Sequence, residues 1–222
     1  MYGLPSLENV RLHGHYITSI NHRTRVPNWV LQHLTAESLA LGDADRKFAR
    51  FTEDDYVHLP FRAQLNDYRR SGYSRGHLVP AGDSHFSTDA MQSTFLLSSN
   101  IVPQDMSMNG CDWLRLEKWT RDLTRQYRNV YVVSGPLWLP SRDPETGKMV
   151  ITHEVIGQNQ VHVPTHLFKA VLAEQEDGQD RAVAAFIMPN RPIKDELPLQ
   201  HYQVPVSEVE RMAGIHIFPK AQ

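Results

Sequence analysis

A single cysteine, Cys111, stands among the 222 residues. That excludes an internal disulfide and a Cys-rich zinc centre. Cys111 has no nucleophile context beyond the cluster Asn109–Glu117, so a packing or interface role is expected of it. No apolar run approaches the ~20 residues of a membrane-crossing helix, so no membrane span is expected. Met1-Tyr2-Gly3-Leu4-Pro5 is neither a signal peptide nor an Arg-rich transit peptide, and it reads as a domain start. There is no Gly/Ser run, low-complexity tract, charge block or internal repeat, so one domain over residues 1–222 is expected. Neither sign of charge dominates: Lys+Arg number 23 and Asp+Glu 25, a formal net charge of -2. Any nucleic-acid binding would therefore come from a local basic patch rather than the chain's overall charge. Gly-x-Ser-x-Gly, P-loop and Gly-x-Gly-x-x-Gly motifs are missing, which leaves serine hydrolase, NTPase and dinucleotide-binding readings without support.

What is present suffices for a folded core, with 41% hydrophobic and 22% charged residues. Strands are expected within 8–20 and 27–34, and a long charged loop with short strands over 35–65. Ser87 or Thr88 is placed to cap a helix running to about Leu97, and Asn109 to cap a stronger one. Trp113, Leu116, Leu123 and Tyr127 form a core-facing helical stripe. Strands follow at Val130–Pro136, Val150–Ile156, Gln160–His162, Leu167–Ala173 and Ala182–Met188, with loops at Pro140–Lys148 and Glu174–Asp180. Ser207 and Glu210 have capping-box spacing before a helix that Gly214 could end. The sum is an α+β fold, a mostly antiparallel sheet with packed helices.

Chemistry concentrates around Ser74-Arg75-Gly76-His77. A guanidinium grips phosphate oxygens in a fork. A histidine takes a proton from water near neutral pH. Gly76 would let backbone approach a ligand closely. Arg69, Arg70 and Arg75 offer a basic patch, and Arg115, Lys118, Arg121, Arg125 and Arg128 recur later, which by itself reads as a solvated helix face. Asn109 and Glu117, eight apart, would lie about two α-helical turns apart and within about 80° around the axis, so both could border one cavity. His162 and His166 offer no helix spacing and no clear third ligand for zinc.

The series Arg46 in Asp45-Arg46-Lys47, Ser74-Arg75-Gly76-His77, Thr94 through Asn100 to Gln104, and Asn109 through Trp113 to Glu117 resembles the DNA/RNA non-specific endonuclease family. Within it, the chain is similar to the mitochondrial endonuclease G and EXOG-type branch. The likeness runs from Tyr2-Gly3-Leu4-Pro5 through Val132–Leu137 and Val163–His166 to Ile217-Phe218-Pro219. Ser74 stands where the broader family has Asp, as in the EXOG-type members. Those members also carry an added C-terminal helical segment, whereas this sequence stops at Gln222.

The resemblance implies a ββα-metal fold and Mg²⁺-dependent hydrolysis of DNA and RNA with little base specificity, Mn²⁺ being a possible substitute. The products would be 5′-phosphates and 3′-hydroxyls, by endonuclease or 5′-exonuclease action. It implies His77 as general base, Asn109 as the protein ligand of the metal, and Glu117 orienting water around it. Arg46 and Arg75 would hold the scissile phosphate, and Asn100 would support the site by hydrogen bonding. His85 stands where relatives commonly carry Arg or Lys, and it would touch a phosphate or remain a surface loop residue. A homodimer and a mitochondrial location are implied in the same way. The alternatives are a phosphodiesterase of the same fold acting on small nucleotide diesters, and an inactive nucleic-acid-binding module.

Overall fold

The computed structural model describes residues 3–176, 180–193 and 197–221. Nine segments organise it. β1 (Val10–Leu12), β2 (Tyr16–Asn21) and β3 (Val26–Leu34) form a meander at the N-terminus. A separate hairpin pairs β4 (Ser74–His77) with β5 (Ile101–Gln104). β6 (Asn129–Leu137), β7 (His166–Glu174), β8 (Ala182–Pro189) and β9 (Gln203–Val204) complete the main sheet. Its order is β1-β2-β3-β6-β7-β8-β9, seven strands, every neighbour antiparallel.

Side chains on a strand alternate between faces, so a sheet covered on both faces is built from near-continuous apolar runs. β6 and β7 read that way. Phe168, Ala170 and Leu172 of β7 pack with Trp29, Val133 and Val209 on one face. Leu167 of β7 packs with Val30, Trp113, Leu116, Phe186 and Met188 on the other. The first face is covered by helix Val206–Ala213, the second by helix Leu114–Asp122 and the β4–β5 hairpin.

Several expected elements differ. Residues 35–65 hold helix Ala36–Ala40 and two single 3-10 turns, with one isolated bridge at Thr52 in place of short strands. Thr35 caps that helix through the Ser38 N–H at 3.0 Å, and its five residues are too few to show an apolar period. Ser87 does cap a helix, which stops at Ser93 rather than Leu97. Asn109 is no N-cap; it closes the short helix Met106–Met108 at its C-terminal end. Asp105 accepts from the Ser107 and Met108 N–H groups and caps Met106–Met108; the chain then passes through a π-helical segment, Asn109–Trp113, into Leu114–Asp122. Val150–Ile156 splits into two ladders: Met149–Val150 pairs with Ser141–Arg142, and Val155–Ile156 pairs with Val161–His162. The last helix begins at Val206 behind Pro205 with no side-chain cap, and Gly214 ends it with φ 68°. Within the loop expected over Glu174–Asp180, residues 177–179 lie outside the described residues.

The approach to the β4–β5 hairpin is held by one carboxylate. Asp67, in the short helix Leu65–Tyr68, accepts from the Gln64 N–H at 2.8 Å and from the Asn159 N–H and Nδ2 at 3.0–3.1 Å. Gly157 lies against it with φ +67°, and a Cβ there would overlap Asp67. Replacing Gly157 with Ala should therefore lower the unfolding free energy by about 2 kcal/mol or more, through left-handed strain plus overpacking. Urea denaturation reads this directly; a wild-type midpoint would refute the close approach.

Candidate active site

Arg46, Arg75, His77, Asn109, Gly110, Glu117 and Arg121 line one cavity of about 290 Å³, which Pro80, Ala81, Gly82 and Leu114 complete. Three elements deliver them: the 3-10 turn Arg46–Phe48, the hairpin strand β4, and the π-to-α helix that runs from Asn109 to Asp122. The hairpin and the helix are locked together where the Trp113 indole donates to the His77 carbonyl at 3.3 Å.

His77 is 8% exposed. Its ring sits edge-on to Phe95, with centroids 4.6 Å apart, and tilted against Phe51 at 5.4 Å. Burial, with the Arg46 charge adding to it, holds its pKa down at about 3. Nε2 is sealed from solvent without a partner, whereas Nδ1 carries no hydrogen bond and is the ring nitrogen open to solvent. A neutral imidazole with one free nitrogen is the form a proton acceptor needs.

Gly76 does something other than admit a ligand. A Cβ there would overlap the Gln104 side chain across the hairpin, so the missing side chain makes room for a buried cross-strand neighbour. Ser74 acts on Asn109. The Asn109 Nδ2 donates to Ser74 Oγ at 3.2 Å, and Ser74 donates on to the Gln104 carbonyl at 2.9 Å. With its nitrogen so engaged, the amide leaves its oxygen Oδ1 as a ligand atom. Asn109 and Glu117 thus present an oxygen-only donor set in one cavity, which suits a hard divalent cation. Among the described residues, no group of three or more His, Cys, Asp or Glu is placed to hold a metal ion.

Arg46 and Arg75 are both exposed, and among the described residues neither has an ion-pair partner. The Arg75 guanidinium rests 4.3 Å from the Phe51 ring centroid and that of Arg46 lies 5.9 Å from Phe95. Aromatic faces orient the guanidinium groups and leave their N–H donors free.

Two expected residues lie outside this lining. Asn100 is fully buried. Its Oδ1 accepts from the Val79 N–H at 2.8 Å, and its Nδ2 donates to the carbonyls of Val79 and Thr94 at 2.9 and 2.8 Å. It touches backbone, and no reacting group can reach it. His85 bonds through Nδ1 to the Ala44 carbonyl at 2.8 Å, while the Ala44 N–H donates to the His85 carbonyl at 3.0 Å. It fastens the loop before Arg46.

The floor of the site escaped the sequence reading. Arg121, one turn beyond Glu117, bonds Asp83 at 2.7 Å, and Gln32 Nε2 reaches the other Asp83 oxygen at 3.0 Å. Lys169 is buried in β7, donates to Ser134 Oγ at 2.7 Å and lies 4.7 Å from the Trp113 ring. Burial raises the Glu117 pKa and lowers that of Lys169, and each charge opposes the shift of the other. Glu117-to-Arg121 spacing and a lysine inside an apolar strand were the available signals. Of the remaining basic residues, Arg115 bonds Asp112 and the Leu197 carbonyl, and Arg125 pairs with Asp122 in solvent. Cys111 is free and exposed. His162 and His166 go separate ways, to His153 at 2.8 Å and Thr165 at 3.0 Å.

The model for the DNA/RNA non-specific endonuclease family matches residues 1–222. The chain belongs to that family. Human mitochondrial endonuclease G is 43% identical to it across 98% of this chain and 72% of its own length. The yeast (Saccharomyces cerevisiae) mitochondrial nuclease is 43% identical across 99% and 68%. Zebrafish (Danio rerio) mitochondrial nuclease EXOG is 43% identical across 100% and 64%. A crystal structure of the EndoG/EndoGI complex superposes with TM-score 0.95 and 43% identity, covering 100% of this chain and 90% of that one. These relatives support the α+β fold, nuclease chemistry and the mitochondrial location expected from the resemblance.

The site carries a cost in acid. His77 in the folded state has a pKa below its ordinary 6.5. Below pH 6.5 the unfolded chain takes a proton that the folded chain declines, so stability falls with pH from there towards about pH 3. The slope should be about 1.4 kcal/mol per pH unit for His77 alone. Burial shifts His13 and His15 in the same direction. Urea unfolding between pH 7 and 5 should show the decline, and His77→Asn should flatten it; equal slopes in both proteins would contradict the buried neutral state.

Proposed function

We propose that residues 1–222 form one nuclease domain that hydrolyses phosphodiester bonds in DNA and RNA, leaving 5′-phosphate and 3′-hydroxyl ends. The observation that carries this reading is the meeting, in one cavity, of a neutral histidine with two unpaired arginines. With a proton on Nε2, His77 offers Nδ1 to a water and takes its proton as that water attacks phosphorus. The bond from phosphorus to the 3′-oxygen breaks, and that oxygen takes a proton from solvent. Arg46 and Arg75 hold the non-bridging oxygens and stabilise the charge that grows on them. Each such electrostatic contribution is worth about 3–4 kcal/mol of barrier.

Asn109 Oδ1 would hold the cation, with Glu117 beside it, and Mg²⁺ bound there supplies charge neutralisation as a Lewis acid. Ser74 supports this reading, because its hydroxyl fixes which end of the Asn109 amide is free. Asn100 and His85 are positioning residues in it: one holds the strand of His77, the other the loop of Arg46. Little base specificity follows from contacts that reach phosphate and not base edges. The family resemblance also supports a homodimer, which light scattering would detect.

His77→Ala should abolish nicking of plasmid DNA while leaving the thermal melt near wild type; turnover near that of the wild type would sink the assignment. Asn109→Ala should lose metal-dependent cleavage, and unchanged activity at low Mg²⁺ would remove its ligand role. Parallel assays on DNA, RNA and a small nucleotide diester, each with and without EDTA, separate a nuclease from a small-diester phosphodiesterase and from an inactive binder.

A further inference from the structure

A second, larger cavity of about 780 Å³ opens beside the first and shares Arg46, Arg75 and Asn109 with it. Its other walls come from the segment before β4, with Arg69 and Arg70 flanked by Tyr68 and Tyr73. Arg69 and Arg70 are exposed, and among the described residues neither has an ion-pair partner. Like charges gathered in this way repel one another unless an anion joins them. The volume suits a nucleotide better than a lone phosphate ion.

The segment is built in advance. Asp67, two residues ahead of Arg69, is clamped by Gln64 and Asn159. After it, the Arg69 N–H donates to the Asn66 carbonyl at 3.2 Å and the Ser71 N–H to the Tyr68 carbonyl at 3.3 Å. Arg70 takes φ 58°, a left-handed conformation that a non-glycine residue holds only when its surroundings impose it. Tyr68 is 6% exposed and its hydroxyl has no hydrogen-bond partner. A strained, clamped turn that presents two unpaired guanidiniums to a cavity is a preorganised anion site.

We propose that Arg69 and Arg70 form a second phosphate-binding groove, which holds two backbone phosphates of the substrate strand next to the scissile one. The inference rests on the nuclease reading and adds a substrate requirement to it. The enzyme grips a chain of nucleotides through at least two phosphate positions beyond the one it cleaves, and a small diester cannot fill the groove. The site reads charge and spacing, and so serves deoxyribose and ribose strands alike.

Binding of a fluorescein-labelled 20-nucleotide single strand in EDTA, followed by anisotropy, tests this without any metal-dependent step. Arg69→Ala/Arg70→Ala should weaken binding at least tenfold, with the melt unchanged. The slope of log Kd against log salt should shrink by about 1.4, since each lost phosphate contact on a single strand removes about 0.7. Arg69→Lys/Arg70→Lys should restore most of that slope. In Mg²⁺, the double alanine variant should lose the wild-type preference for the 20-mer over a trinucleotide. An unchanged slope and preference in a folded variant would overturn the proposal. If the wild type cleaves neither strand, it is the nuclease reading that fails; cleavage by the wild type with no difference in the variant condemns only the groove.

Discussion

The amide of Asn100 is the contact on which the site's geometry depends. β4 and β5 pair regularly only as far as His77 and Ile101. Beyond them, Asn100 continues the pairing: its carbonyl accepts from the Leu78 N–H, and its side chain bonds both polar groups of Val79. Its remaining donor goes to Thr94, at the end of the helix Thr88–Ser93. One buried side chain thus ties the strand of His77 to the helix Thr88–Ser93, two residues beyond which Phe95 packs against the His77 ring. Leaving such groups unsatisfied in the interior costs about 1–3 kcal/mol each. That cost, more than any contact with a ligand, explains an asparagine at a position that never reaches solvent.

Beneath the cavity lies an arrangement of charges that a core built only for stability would avoid. Buried ions lose hydration that their mutual attraction only partly returns. Here Lys169 reaches up from the centre of the sheet to Ser134 and the Trp113 ring, while Asp83 joins Gln32 to Arg121. Glu117 sits between the two sets electrostatically. Its charge is a joint property of four side chains from a strand, a turn and a helix. The cavity's acid–base character therefore belongs to the whole layered fold rather than to the Ser74–His77 segment.

This division explains what could be read from sequence. Arg75 and His77 stand two residues apart on one strand, and their chemistry is visible in a tetrapeptide. β6 and β7 announced themselves because strands buried on both faces are continuous apolar runs, and β8 is as apolar although its first two residues are exposed. The helices of residues 35–68 did not, since four or five residues are too few to display a period. Gly76 misled, because the glycine answers to Gln104 across the hairpin, a neighbour 28 positions away that no local rule connects to it. Asp83 and Lys169 were hidden for the same reason: each gains meaning only from a partner brought by tertiary packing. Arg69 and Arg70 were visible as a patch, but the clamp that orients them comes from Asn159.

The π-helical segment Asn109–Trp113 sets a limit on how such a chain can vary. An α-helix advances about 100° per residue, and a π turn accommodates an extra residue within the same helical run. A one-residue deletion there would restore ordinary helix and yet swing Asn109 by about 100° relative to Glu117. Insertions and deletions that surface helices absorb are closed to this one. The helix would survive such a change with its core stripe intact, and the two oxygens would no longer share a cavity. Length across these five residues is thus as much a part of the site as the side chains themselves.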